Sequence, residues 1–198
     1  MKPLLAALLL VTVAGSQTGE TSMAFAGRTC TLRVPSGYSP AGDLAATVTP
    51  GATIKAFAFT TPQRSDGTTS VIQVSLLDLG AIAAAAKEPA PGLAKFASAA
   101  IEGIHRLRGD WKQMERALTV AGVPATRFDW SGTITPPPGR SPSTAPVPMH
   151  GLMIVGIKDG MGFVLHTQDF DTYWQLMHEA AEASLMTFTL GAGKVPEA

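Results

Sequence analysis

The chain has 198 residues, 45% of them hydrophobic, which is enough for one domain with a sizeable apolar core. Basic and acidic residues number 15 each, so the formal net charge is zero. That balance argues against a nucleic-acid partner, which selects for a basic excess or stripe. The densest basic cluster, Arg106, Arg108, Lys112 and Arg116, is broken by Asp110 and Glu115.

At the N-terminus, "MKPLLAALLLVTVAGS" places Lys2 before an apolar run from Leu4 to Leu10 that continues to Ala14. A spanning helix takes roughly 20 apolar residues, and this run is shorter. It matches a secretory signal peptide. Small residues allow cleavage near Ala14 to Ser16 or after Ala26, within "AFA", and both sites stay open. The segment 1–26 is therefore set apart as the signal, and 27–198 as a single domain. The expected location is the periplasm or the extracellular space. No later segment is apolar enough for a transmembrane anchor. Cys30 is the only cysteine, so no internal disulfide exists. Arg28 and Thr29 precede it, far from the apolar run, which argues against lipidation. A half-buried thiol in the first strand is the simplest reading; an intermolecular disulfide is the other.

"CTLRVPSGYSP" reads as a short strand ended by a turn at Pro35 and Gly37. "TIKAFAFTTP" alternates, with Ile54, Ala56 and Ala58 opposite Lys55, Phe57 and Phe59. "SVIQVSLLDLG" sets Val71, Gln73, Ser75 and Leu77 against Ile72, Val74 and Leu76. Both are strands by their period of two, joined through "QRSDGTTS" as a hairpin. "GAIAAAAKEPAPG" suggests a short helical turn stopped by Pro89. From Leu93 the period changes. Phe96, Ala97, Ala100, Ile101, Ile104 and Leu107 follow amphipathic helical spacing, with Lys95, Glu102, His105 and Arg106 on the other side. "ERALTVAGVPATRFDWSGT" reads as two strands around a turn at Ala121 to Val123. Six prolines in "TPPPGRSPSTAPVP" lack a backbone donor, so it is neither helix nor central strand; it is an exposed, partly polyproline-like loop spanning 135–148.

"GLMIVGIK-DG-MGFVLHTQ" carries the strongest hairpin signal. Asp159-Gly160 suits a two-residue type I′ turn, which needs positive φ at both positions. That register pairs Val155 with Val164, Ile154 with Leu165, and Met153 with His166. Both faces of this hairpin are then apolar and call for cover on both sides. The last helix starts at Asp171, a candidate N-cap. Its stripe is Tyr173, Leu176, Met177, Ala180, Ala181, Ser184 and Phe188, with Trp174 and Leu185 on the edge. Gln175, Glu179 and Glu182 face the opposite way. The expected fold class is α+β: an antiparallel sheet of about six strands with helices on both faces, an α/β/α sandwich.

Catalytic patterns are missing. His178 and Glu182 are one turn apart, but "HEAAE" lacks the second histidine of the zinc pattern and reads as an exposed ion pair. His166, near Asp169, reads as a strand-end histidine. Met149, His150, Met153 and Met161 offer soft ligands for copper, yet the hairpin alternation already assigns Met153 and Met161 to packing. No nucleophile motif or P-loop occurs, and neither cofactor nor metal is expected.

"LRVPSGY", "AFAFTTP", "GVPATRFDWSGT", the Asp159-Gly160 hairpin and a last helix holding Trp174 and ending in "SLMTF" together resemble the PsbP-like and DcrB-like exported proteins. The resemblance covers about residues 29 to 190. It implies an antiparallel sheet between helices, no enzymatic activity, and an accessory role in binding a protein partner. Binding of a lipid or other apolar small molecule is the alternative it leaves. The proline-rich loop departs from the family pattern. Pro136, Pro137, Pro138 and Arg140 in that loop, with His150 beyond it, are the candidate partner-binding residues.

Overall fold

Ten strands and three helices form in the computed structural model, which describes residues 19–49, 52–135 and 145–191, with backbone alone for 44–49 and 52. The order is β1 (Gly19–Phe25), β2 (Arg28–Val34), β3 (Ser39–Thr49), β4 (Ala52–Thr60), β5 (Val71–Asp78), α1 (Leu79–Ala86), α2 (Leu93–His105), β6 (Gly109–Val120), β7 (Val123–Ile134), β8 (Val147–Lys158), β9 (Met161–Phe170), α3 (Asp171–Leu185) and β10 (Thr189–Leu190). A seven-stranded sheet runs β3-β4-β5-β9-β8-β7-β6, and a smaller one runs β1-β2-β10. Every pairing is antiparallel. The expected count of about six strands is thus corrected to seven plus three. β1 lies within the segment set apart as a signal, and β10 has only two residues, too few to show a period.

Two-residue turns set the registers. Asp159 and Gly160 have φ of 49° and 78°, and Val155 pairs with Val164, Ile154 with Leu165, and Met153 with His166, as the turn chemistry requires. Ala121-Gly122 and Ala26-Gly27 repeat the device between β6 and β7 and between β1 and β2. "AFA" is therefore the end of β1 and the start of its turn. Val147 and Pro148, expected in the loop, are the first residues of β8, opposite Ile134 and Thr133. A proline is tolerated at the start of a strand, where one missing donor costs little.

Alternate residues of β8 enter two different cores. Leu152 and Ile154 pack in a cluster with Ile72, Val74 and Leu76 of β5, Cys30 and Leu32 of β2, and Ala181 and Leu185 of α3. Met153 and Val155 pack in the other cluster, with Phe128 and Trp130 of β7 and Phe96, Ala97 and Ile101 of α2. The amphipathic spacing read from Leu93 onward thus holds, though the helix ends at His105 and Leu107 is exposed. α1 is longer than one turn, because the Asp78 carboxylate caps it by accepting from the Ala81 N–H at 2.9 Å. Lys87, at φ 55°, ends it before Pro89 is reached.

The stripe of α3 is rotated from its expected setting. Ala181, Ser184 and Leu185 are buried, whereas Leu176 is 77% exposed. Leu176 and Leu185 are nine residues apart, about two and a half turns, so one helix cannot bury both against one surface. Phe188 is buried but lies beyond the helix end. Asp171 is not the N-cap. That place belongs to Phe170, which offers no side-chain cap, and Asp171 occupies the first turn. Among the described residues, no helix is long and apolar enough to cross a membrane.

Candidate functional site: a groove between an edge strand and the last helix

Cross-strand partners share a sheet face, so the registers place residues side by side that lie far apart in sequence. Lys112 pairs with Ser131, Ser131 with His150, and His150 with Asp169. The adjacent row of the same face joins Met114, Asp129 and Leu152. The row after it sets Arg116 opposite Arg127. β6 is an edge strand with most of its residues exposed. Between its inward side chains and Trp174 of α3 lies a groove of about 330 Å³, lined by Lys112, Met114, Asp129, Ser131, His150 and Trp174.

Aromatic and polar contacts fix the α3 wall. The His150 ring stacks on Trp174 with centroids 6.1 Å apart, and Trp174 stacks on His178 at 5.6 Å. His150 Nε2 lies 2.7 Å from Asp171 Oδ1. The start of α3 is held in turn by the β4–β5 connection. Arg64 donates from Nη1 and Nη2 to the two oxygens of Asp169 at 2.9 and 2.7 Å and lies 3.8 Å over the Tyr173 ring. The Tyr173 hydroxyl donates to Asp66 Oδ2 at 2.8 Å. Hydrogen bonds from Thr68, then from Tyr173, bring the Asp66 carboxyl down to about 2.

Farther along the groove wall, two arginines sit directly opposite one another, and carboxylates separate them. Arg127 donates to Asp129 at 2.7 Å and also pairs with Glu182; Arg116 reaches Asp129 at 3.1 Å. Burial opposes the charge on Arg127, and the Glu182 and Asp129 carboxylates outweigh it, so its pKa rises. Carboxylates between like charges convert a repulsive cross-strand pair into a network that ties β6, β7 and α3 together.

The structure rearranges the residues singled out in the sequence. His178 does not pair with Glu182: its Nδ1 lies 2.9 Å from the Trp174 carbonyl oxygen, and Glu182 serves Arg127. His166 and Asp169 are three residues apart on a strand, hence on opposite faces, and Asp169 serves Arg64. Met149 and Met153 belong to the α2-side core and Met161 to the α3-side core, while His150 points to the groove, so the soft ligands do not converge. No group of three or more metal-binding side chains occurs among the described residues. Ser131, His150 and Asp171 are neighbours, yet no hydrogen bond joins Ser131 to His150. Pro136, Pro137, Pro138 and Arg140 lie outside the described residues; the segment that holds them connects β7 to β8 beyond the Ile134–Val147 pair. Cys30 is fully rather than half buried, and burial pushes its thiol up to about 11. That disfavours the intermolecular disulfide in the folded chain. Met114, Asp129 and Trp174 were not singled out as site residues. Their signal was the alternation of Arg127, Asp129 and Ser131 with Phe128 and Trp130, which marks one face of β7 as polar.

No protein-family model and no curated protein matches the sequence. Solved structures do match. The crystal structure of LpqN, involved in cell envelope biogenesis of Mycobacterium tuberculosis, superposes with a TM-score of 0.54 at 16% identity, over 88% of this chain and 91% of that one. The solution structure of cyanobacterial PsbP (CyanoP) from Synechocystis sp. PCC 6803 superposes with a TM-score of 0.53 at 11% identity, over 94% and 99%. The fold is PsbP-like. At these identities the likeness is one of fold alone.

Proposed function

We propose that the protein is a non-enzymatic, exported accessory protein that binds a protein partner along the groove beside β6. The observation that carries this reading is Met114. It is 61% exposed, on the groove side of an edge strand twelve residues long. An edge strand offers its outer backbone groups to an incoming extended segment, and adjacent pockets supply selectivity. Lys112, Glu115 and Arg116 guard β6 against indiscriminate pairing. Met114 and Trp174 supply the adaptable and the rigid apolar contact that protein interfaces favour. Pro136, Pro137, Pro138 and Arg140, together with His150, are proposed as further partner-binding residues. The envelope role stated for LpqN supports an envelope setting. We also infer a layered α/β/α arrangement, with α2 and α3 covering opposite faces of the large sheet, and an export signal that ends before Gly19 so that β1 is kept.

A photo-crosslinking residue at position 114, compared with one at exposed Ala85 on α1, tests the reading. The expected result is one discrete adduct from position 114 that is absent from position 85 and weakened by deleting residues 136–144. The same adducts from both positions would overturn it. A carrier of an apolar molecule would need space beside the small residues of the β8–β9 hairpin. A Cβ at Gly156 would stand 2.1 Å from Phe163 Cζ, and one at Gly162 would stand 2.8 Å from Phe96 Cζ. Aromatic rings fill both places, which favours the partner-binding reading.

A further inference from the structure

The opposite face of the sheet carries a ladder of four rings. His105 stacks on Trp111 with centroids 5.1 Å apart, Trp111 on Trp130 at 5.2 Å, and Trp130 on His166 at 6.0 Å. Gly151 makes this possible. A Cβ there would stand 2.3 Å from Trp130 Cε2, so only glycine lets the indole lie flat on β8. Arg108 reaches across the same indole, with its guanidinium carbon 5.7 Å from the ring centroid, and donates to Gln168 Oε1 at 3.0 Å. Gln168 is two residues from His166 on β9, on the same face.

Three buried nitrogen atoms in this cluster have no hydrogen-bond partner: Arg108 Nε, Trp130 Nε1 and His166 Nε2. Trp130 is 3% exposed and His166 8%. Buried polar groups are normally paired, and three neighbouring exceptions call for a common explanation. The indole and guanidinium N–H groups can only donate, so what completes them must accept. None of the ion pairs among the described residues includes Arg108. Burial pushes the Arg108 pKa down, as befits a cation without a counter-charge, and burial followed by Arg108 brings His166 down to about 4. His166 is therefore neutral at pH 7 and can donate from Nε2. Arg108 is half-buried and its Nη1 donates to the Leu107 carbonyl at 3.1 Å, so Nε is the guanidinium donor left to fill; a bridging water would satisfy the hydrogen bonds but bring no counter-charge. A carboxylate does both, because its two oxygens accept several bonds and carry the opposite charge.

We propose that Arg108, Trp130 and His166 hold the carboxylate of a small organic acid on the α2 side of the seven-stranded sheet. The seat lies on the face turned toward α2, whereas the groove opens toward α3; Trp130 and Gly151 border both. The seat's occupancy does not depend on any protein partner.

The test uses the full mature chain and ¹H–¹⁵N spectra. The Trp130 indole signal is identified by its loss in Trp130→Phe. Sodium acetate is titrated against sodium chloride at equal ionic strength. Acetate is expected to shift this signal saturably and chloride to leave it in place. Arg108→Gln should weaken acetate binding by about tenfold or more, the worth of one charge-assisted bond. Should that variant fail to fold, Arg108→Lys keeps the charge, removes the Nε donor, and should still bind several-fold more weakly. An indole signal unmoved by acetate, moved equally by chloride, or moved with wild-type affinity in the folded arginine variant overturns the proposal. Octanoate in a parallel titration separates two sources of the same group: tighter binding than acetate assigns a fatty acid, and equal or weaker binding a short-chain acid.

Discussion

Replacing Gly160 by valine isolates one term of the hairpin's stability. Gly160 sits at φ 78° and follows Asp159 at 49°. A Cβ added at Gly160 would meet nothing within 4 Å, so packing is unaffected and the cost is one of backbone conformation. The left-handed region costs an L-residue about 1–2 kcal/mol, and more when the side chain is β-branched. Loss of glycine also stiffens the unfolded chain, which offsets about 0.4–1 kcal/mol. With a gross cost of about 1–3 kcal/mol for a strained β-branched residue, the net expected for Gly160→Val is a destabilisation of about 0.5–2 kcal/mol. With a urea slope of about 2 kcal/mol/M for a domain of this size, the midpoint should fall by roughly 0.3–1 M at unchanged slope. Gly160→Asn should fall less, because asparagine tolerates positive φ. The turn is tied to its surroundings: the Gly160 carbonyl accepts from the Leu79 N–H at 3.1 Å, and the Asp159 carbonyl accepts from Arg28 at 2.6 Å. Partner binding per folded molecule should survive, since the turn is remote from the groove. An unchanged midpoint for valine, or asparagine as harmful as valine, would show that the turn is not the two-residue type that sets the Met153–His166 pairing.

A chain beginning at Gly27 lacks β1 and with it Met23, which is only 5% exposed, so it should be less stable than one beginning at Gly19 by about 2–5 kcal/mol; equal thermal melts would place β1 outside the folded unit. The Cys30 thiol should resist an aromatic disulfide reagent until the protein unfolds, and prompt reaction in the native state would contradict its burial. Because its folded pKa of about 11 lies above the ordinary value of 9.0, Cys30 contributes stability that is complete below pH 9 and is lost as pH rises through about 11. His166 has the reverse sense for its charge. Its folded pKa of about 4 lies below the ordinary 6.5, so stability is complete above pH 6.5 and falls as pH drops through about 4, by up to roughly 3 kcal/mol. His166→Gln should flatten the denaturant midpoint against pH between those limits, and an equally steep decline would refute the assignment.

Local chemistry determined a good part of this fold before any long-range contact is considered. Asp-Gly and Ala-Gly each place positive-φ residues between two strands, and a two-residue turn leaves one register, so the β8–β9 pairing was legible in the sequence. The spacing of Phe96, Ala97 and Ile101 likewise selects one face of α2. α3 was different, because apolar residues occur around most of its circumference. Only the fit of Ala181 and Leu185 against Cys30 and Leu32 decided that Leu176 would face outward. β1 falls in a segment with two local readings: small residues at Ala24 and Ala26 suit a cleavage motif and a strand ending in a turn equally well. Both sites depend on adding registers together. Lys112, Ser131 and His150 align only through two successive strand pairings, and Arg108 meets Trp130 and His166 only because Gly151 leaves room for a flat indole. A side-chain period tells which residues of one element share a face. Which face is buried, and what lies beside it, is decided by elements distant in sequence, whose packing is settled only when the whole core closes.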